Sequence, residues 1–242
     1  MPSELICRIR DNIGFKRDEI KHLLLISLVC GLAIGLDDGR AEFDLVLWSL
    51  SLVGSIIAVF LAMSFRWVFM KILGLKHGYL LEFSLWTYGL AAGAVGTILS
   101  MGKVYLLMPF STKFIHHKGM RLGAFRYGID TEEMGKISLY GILGNLFIAA
   151  LIRLFIGQSS SIFLRNLMFA NVFLAIFTLV PLPALDGIKI FIWSRILYVM
   201  WATLVVVFGL LILIFPSVWP ALIYSIISGI AFAWLFWFWV ER

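Results

Sequence analysis

The sequence predicts an all-α polytopic membrane protein, with about six transmembrane helices, one re-entrant hairpin and a small cytoplasmic β element. Three observations carry that reading. Hydrophobic residues make up 62% of the 242 and charged residues 14%, with a mean hydropathy of +0.99. A soluble domain of this size cannot bury that much apolar surface. The apolar residues gather into runs at 23–36, 45–65, 84–101, 137–157, 162–181, 197–215 and 218–240, most of them near the ~20 residues a helix needs to cross a bilayer. Lysine and arginine are distributed unevenly between the connecting loops. Residues 1–242 read as a single membrane domain, without internal repeat, low-complexity tract or soluble linker.

The first run, 23–36, has 14 uninterrupted residues. Its flank DDGRAEFD offers no small-residue cleavage site, so it reads as a retained helix and not as a signal-peptide core. Runs 45–65, 137–157 and 162–181 each read as one crossing, and 197–240 as a C-terminal helical hairpin. Run 84–101 holds Gly89, Gly93 and Gly96, which allow a helix to break and turn back where protein covers the freed backbone groups. The stretch 103–136 alternates polar and apolar residues between glycines at 119, 123 and 128. Its segments KVYLLMPF, TKFIHHKGM and RLGAFRYG read as short strands of a cytoplasmic β-rich insertion. Cys7 lies in the polar N-terminal segment and Cys30 in an apolar run, so no disulfide is expected between them.

Charge sets the expected orientation. Arg8, Arg10, Lys16, Arg17 and Lys21 precede the first apolar run, whereas the next loop carries Asp37, Asp38, Glu42 and Asp44 against Arg40. The positive-inside rule then places the N-terminus in the cytoplasm and returns the second helix there at Arg66, Lys71 and Lys76. A single crossing at 84–101 would put the six Lys/Arg of 103–136 outside, so the re-entrant reading is preferred. It brings Asp186, Lys189 and Arg195 to the cytoplasmic face and leaves both termini cytoplasmic, in a multi-pass protein of the cell membrane. No basic cluster interleaved with aromatics stands out, so nucleic acid is not an expected partner. The lipid bilayer is.

VPLPALDG, residues 180–187, holds the main candidate for chemistry. Pro181 and Pro183 cannot continue a helix, and Gly187 allows a close approach before the chain resumes. A carboxylate at membrane depth is costly unless paired, coordinated or wetted, which makes Asp186 a candidate functional residue. The competing reading is that Asp186 lies at the water interface and caps the following helix.

PLPALDG, preceded by NVFLAIFTLV, resembles the C-terminal motif of the site-2 protease family of intramembrane zinc metalloproteases. GKISLYGILGNLFIAAL (135–151) is similar to that family's G-K-x-x-L-A-G-P-L-x-N-L helix, with Asn145 at its asparagine and Tyr140 and Ile142 at its alanine and proline. LLEFSLWTYGLAAG (80–93) resembles an apolar segment of short members, so a site-2-protease-like core is expected over 45–200. The resemblance implies Asp186 as the third protein ligand of zinc. It also implies an H-E-x-x-H helix, whose two histidines share a face and whose glutamate activates water. That motif is absent from this sequence. Ala62 and Arg66 of AMSFR stand at the histidine positions and Met63 at the glutamate. Thr178 replaces the substrate-binding asparagine, and Ile188 the second glycine of L-D-G-G. No catalytic residue is therefore expected, and no metal or cofactor.

An Arg66–Asp186 ion pair is expected in place of the metal, and a separation beyond ~6 Å would reject it. Otherwise Arg66 snorkels to the headgroups. Other candidate ligands are His22, His77 with Glu82, and the adjacent His116 and His117, each read as an interfacial or surface histidine. The expected function is non-catalytic: binding or regulating membrane-embedded segments of other proteins. The alternatives are a divergent active zinc metalloprotease with unorthodox ligands, and a small transporter or channel in which Asp186 and the glycine-rich break line a solute path.

Overall fold

The computed structural model describes residues 2–36, 44–100, 102, 110–116, 129–156 and 161–241. A short amphipathic helix α1 (Pro2–Asn12) precedes α2 (Arg17–Gly35), which packs along α3 (Leu45–Lys76). Asp44 caps α3 by accepting from the backbone N–H groups of Val46 (2.9 Å) and Leu47 (3.2 Å). The 32 residues of α3 rise about 48 Å, well beyond a ~30 Å hydrocarbon core.

Strand β1 (Tyr79–Leu85), helix α4 (Thr87–Leu99) and strand β2 (Phe110–His116) follow. The strands pair antiparallel, with Tyr79 opposite His116 and Leu85 opposite Phe110. The chain between them therefore starts and ends at the same place. The excursion differs from the expected broken hairpin over 84–101. Residues 79–85 are a strand, and α4 runs unbroken through Gly89, Gly93 and Gly96. Glycine weakens a helix but keeps its N–H donor, so the hydrogen-bond ladder survives where a proline would break it.

The β element also differs in composition. KVYLLMPF and TKFIHHKGM contribute one described strand, 110–116, whose partner 79–85 overlaps the apolar segment 80–93 and lies outside the expected insertion. Residues 103–109 and RLGAFRYG lie outside the described residues. The insertion ends before 136, because helix α5 (Thr131–Ile156) begins at Thr131.

Helices α6 (Ile162–Thr178), α7 (Asp186–Trp193), α8 (Arg195–Ile214) and α9 (Val218–Phe236) complete the chain, with α9 running on into a π turn, Trp237–Glu241. Among the described residues, four helical stretches are long and apolar enough to cross a membrane: Leu45–Lys76, Thr131–Phe155, Arg195–Ile214 and Val218–Val240. Helix α6 has 17 residues, a rise of about 26 Å. Helix α2 carries Arg17, Asp18, Glu19 and Lys21 in its first turns. Large apolar side chains such as Phe147, Phe155, Trp219 and Trp239 point outward, as lipid contact favours.

Two apolar clusters organise the interior. One joins α2, α3 and the inner sheet face (Tyr79, Leu81, Phe83, Phe110, Phe114), and the other joins α5 to α9. Helices α3 and α5 meet where Gly141 faces Met70. A Cβ there would sit 2.6 Å from the Met70 sulfur, so the helices approach too closely for a larger residue. Cys7 is exposed and Cys30 buried, and both are free thiols.

Candidate functional site

The site begins with the turn between α6 and α7. The last turn of α6 tightens, with the Leu179 N–H donating to the Ile176 carbonyl (3.3 Å) and the Val180 N–H to that of Phe177 (3.3 Å). Pro181 and Pro183 offer no N–H, and the chain reverses through Leu182 N–H to Val180 carbonyl (2.8 Å) and Leu185 N–H to Leu182 carbonyl (2.9 Å). Helix α7 then starts at Asp186. A Cβ on Gly187 would lie 1.8 Å from the Leu179 carbonyl oxygen, so only glycine fits. That contact sets Asp186 beside the end of α6.

Asp186 is 2% exposed, and its carboxylate gathers three side chains. Oδ2 accepts from Arg66 Nη2 at 2.7 Å, and Oδ1 accepts from Lys189 Nζ at 2.7 Å and Ser138 Oγ at 3.4 Å. The expected Arg66–Asp186 ion pair is thus present, joining α3 to α7 across 120 residues of sequence. Arg66, also 2% exposed, does not snorkel. The carboxylate bonds to side chains from three helices, so capping is not what occupies Asp186.

Strand β2 closes the cluster from another side. The Arg66 guanidinium lies 5.3 Å from the Phe110 ring and the Lys189 ammonium 5.1 Å from the Phe114 ring. Each cation so has a carboxylate oxygen and an aromatic face, a combination that offsets lost hydration.

Lys189 and Ser138 were not assigned to the site from sequence, where Lys189 served only as a topological charge. The i,i+3 spacing of Asp186 and Lys189 on one helix was the available signal. Ser138, 0% exposed on α5, carried none.

Ala62 and Met63 are buried beside Arg66 on α3. These residues do not fit zinc. Alanine offers no donor atom, a guanidinium has no acceptor, and both Asp186 oxygens already face cations. Thr178 is buried, and its hydroxyl donates to the Leu174 carbonyl of its own helix at 2.6 Å. Asn145 is fully buried, with neither side-chain polar atom hydrogen-bonded among the described residues. Pro181 and Pro183 are exposed.

The other candidate ligands separate. His77 Nδ1 pairs with Glu133 on α5, Glu82 with Lys16 at 3.0 Å, His116 lies 5.1 Å from the Tyr79 ring and His22 6.5 Å from that of Phe83. His117 lies outside the described residues. Among the described residues, no three His, Cys, Asp or Glu side chains group closely enough to hold a metal ion.

A second buried ion pair lies one and a half turns along α3. Lys71 Nζ donates to Glu19 Oε2 of α2 at 2.8 Å and to the Gly14 carbonyl at 2.9 Å, between the rings of Phe15 and Trp67. Arg66, Lys71 and Lys189, all counted in sequence as membrane-flanking charges, are instead buried in ion pairs. Of the residues used to orient the membrane at this end, Lys76 and Arg195 are exposed. No family model matches this chain, and neither do curated proteins or solved structures.

Proposed function

We propose that the chain is a non-catalytic, site-2-protease-like protein of the cell membrane that binds or regulates membrane-embedded segments of other proteins. The supporting observation is the 2.7 Å contact between Arg66 and Asp186 at the two positions where the resembling motifs carry metal ligands. In this reading, Arg66 and Lys189 supply the two positive charges that a zinc ion supplies in an active relative. The cluster keeps α3 and α7 together without a metal, and the surface beside it serves recognition. Six crossings with both termini cytoplasmic belong to the same proposal.

Two measurements test it. Purified protein is expected to contain well under one zinc per chain; stoichiometric zinc that is lost in Asp186→Ala would overturn the reading in favour of a divergent metalloprotease. A photo-crosslinker at Ile115, exposed on β2, is expected to trap discrete membrane proteins in native membranes. Adducts to lipid alone would remove the binding function.

A further inference from the structure

We infer that the cavity between the α1–α2 connection, the end of α3 and the outer face of the sheet holds the headgroup of a phospholipid that ends in a primary amine. Its ammonium rests on Asp11 and its phosphate on Lys16 and Lys71. The first observation is the mixture of charge in one cavity. It has a volume of about 610 Å³, within the range of ligand sites, and Asp11, Lys16, Lys71 and Glu82 all line it. Lys71 is matched by Glu19 and Lys16 by Glu82. Asp11 has no hydrogen bond or ion pair among the described residues, which leaves one carboxylate open to a cation.

The second observation is the donors. Lys71 is buried, and its ammonium gives two of its three N–H groups to Glu19 and the Gly14 carbonyl. Gly14 and Phe15 lie against that ammonium and themselves line the cavity, so the group sits at the cavity wall with an N–H to spare. Lys16 gives one N–H to Glu82 and has two more. Ammonium groups with free donors suit a phosphate, and a carboxylate beside them suits an amine. An ethanolamine phosphate carries both groups on one short arm.

The third is depth. The exposed large apolar side chains of α2 begin at Ile20, and those of α3 end at Phe69. Phe15 and Lys71 lie just past these two limits, so the cavity sits at the edge of the apolar belt, where headgroups lie. Phe15, Leu80 and Ile115 give it apolar walls for the glycerol backbone and the first methylenes of a lipid. A free, soluble zwitterion would leave those walls unfilled. The inference does not rest on the protein-binding function proposed above.

Native mass spectrometry of the delipidated full-length protein, titrated with phosphatidylethanolamine or with phosphatidylcholine of the same acyl chains, tests it. One phosphatidylethanolamine per chain is expected. It should bind about tenfold more tightly than phosphatidylcholine, whose quaternary amine has no N–H to give Asp11. Asp11→Asn should bring the two lipids to equal affinity, and Lys16→Gln should weaken both alike. Glycerophosphoethanolamine, the same headgroup without chains, should not displace the lipid. Equal affinity for the two lipids in the parent chain, a preference that survives Asp11→Asn, or unchanged binding in Lys16→Gln would overturn the inference. Displacement by glycerophosphoethanolamine at equal concentration would overturn the assignment to a lipid. Asp11 and Lys16 are both exposed, and the comparison of the two lipids uses the unaltered chain.

Discussion

Arg66 and Lys71 lie five residues apart on one helix, both buried, and their surroundings differ in charge balance. Lys71 faces one carboxylate, a backbone carbonyl and two rings, and Glu19 in turn accepts from the Lys16 backbone N–H at 2.9 Å. The charges cancel, and the pair ties α2 and the α1–α2 connection to α3. Around Arg66 two cations share one carboxylate, and the guanidinium Nε and Nη1 have no protein partner among the described residues. Burial alone therefore does not mark a functional charge. A balanced pair acts as a strut, whereas two cations on one carboxylate make the whole cluster depend on Asp186.

Removing the shared carboxylate is the strongest way to break the comparison. Asp186→Ala leaves Arg66 and Lys189 buried without their counter-charge, and a loss of about 3–5 kcal/mol is expected. Denaturant unfolding of the protein in detergent measures it; a loss below ~1 kcal/mol would mean that water reaches the cluster. Glu19→Gln should cost less, about 1–3 kcal/mol, because Lys71 keeps the Gly14 carbonyl and both rings. Equal losses in the two variants would erase the distinction between strut and site.

The exposed Lys16–Glu82 pair (69% and 44% side-chain exposure) sets the lower bound. Glu82→Gln should change stability by about 0.5 kcal/mol or less, and less still in high salt. The hydrogen bond from Lys16 to Glu82 holds the Lys16 pKa above the usual lysine value. Its small contribution is therefore full below that value and fades as pH rises through the higher, folded-state one. Unfolding midpoints of the parent and Glu82→Gln should differ at neutral pH and converge in strong alkali.

Much of the helical frame was legible in the sequence. The runs at 137–157, 162–181, 197–215 and 218–240 match helices to within several residues, because long apolar segments need internally paired backbones. Strand β1 was not legible. Leu81, Phe83 and Leu85 alternate with Glu82 and Ser84, but over only five residues beside a longer apolar run, and the partner strand lies 25 residues away even at the closest pair, Leu85 and Phe110. The Arg66–Asp186 contact was anticipated from two degenerate motifs, yet Lys189 was not, because a lysine near a membrane face reads first as a flanking charge.

Composition and hydropathy by themselves determined that this is a helical, multi-pass-type chain, since apolar surface on that scale has no aqueous solution. They also determined that Asp186 needs a partner, since a lone carboxylate at depth is too costly to keep. Only the tertiary structure decided that Arg66 and Lys189 share that carboxylate and that β2 lays aromatic rings on both. Those outcomes depend on distances between residues far apart in sequence. Local pattern carries no information about such distances, and packing alone sets them.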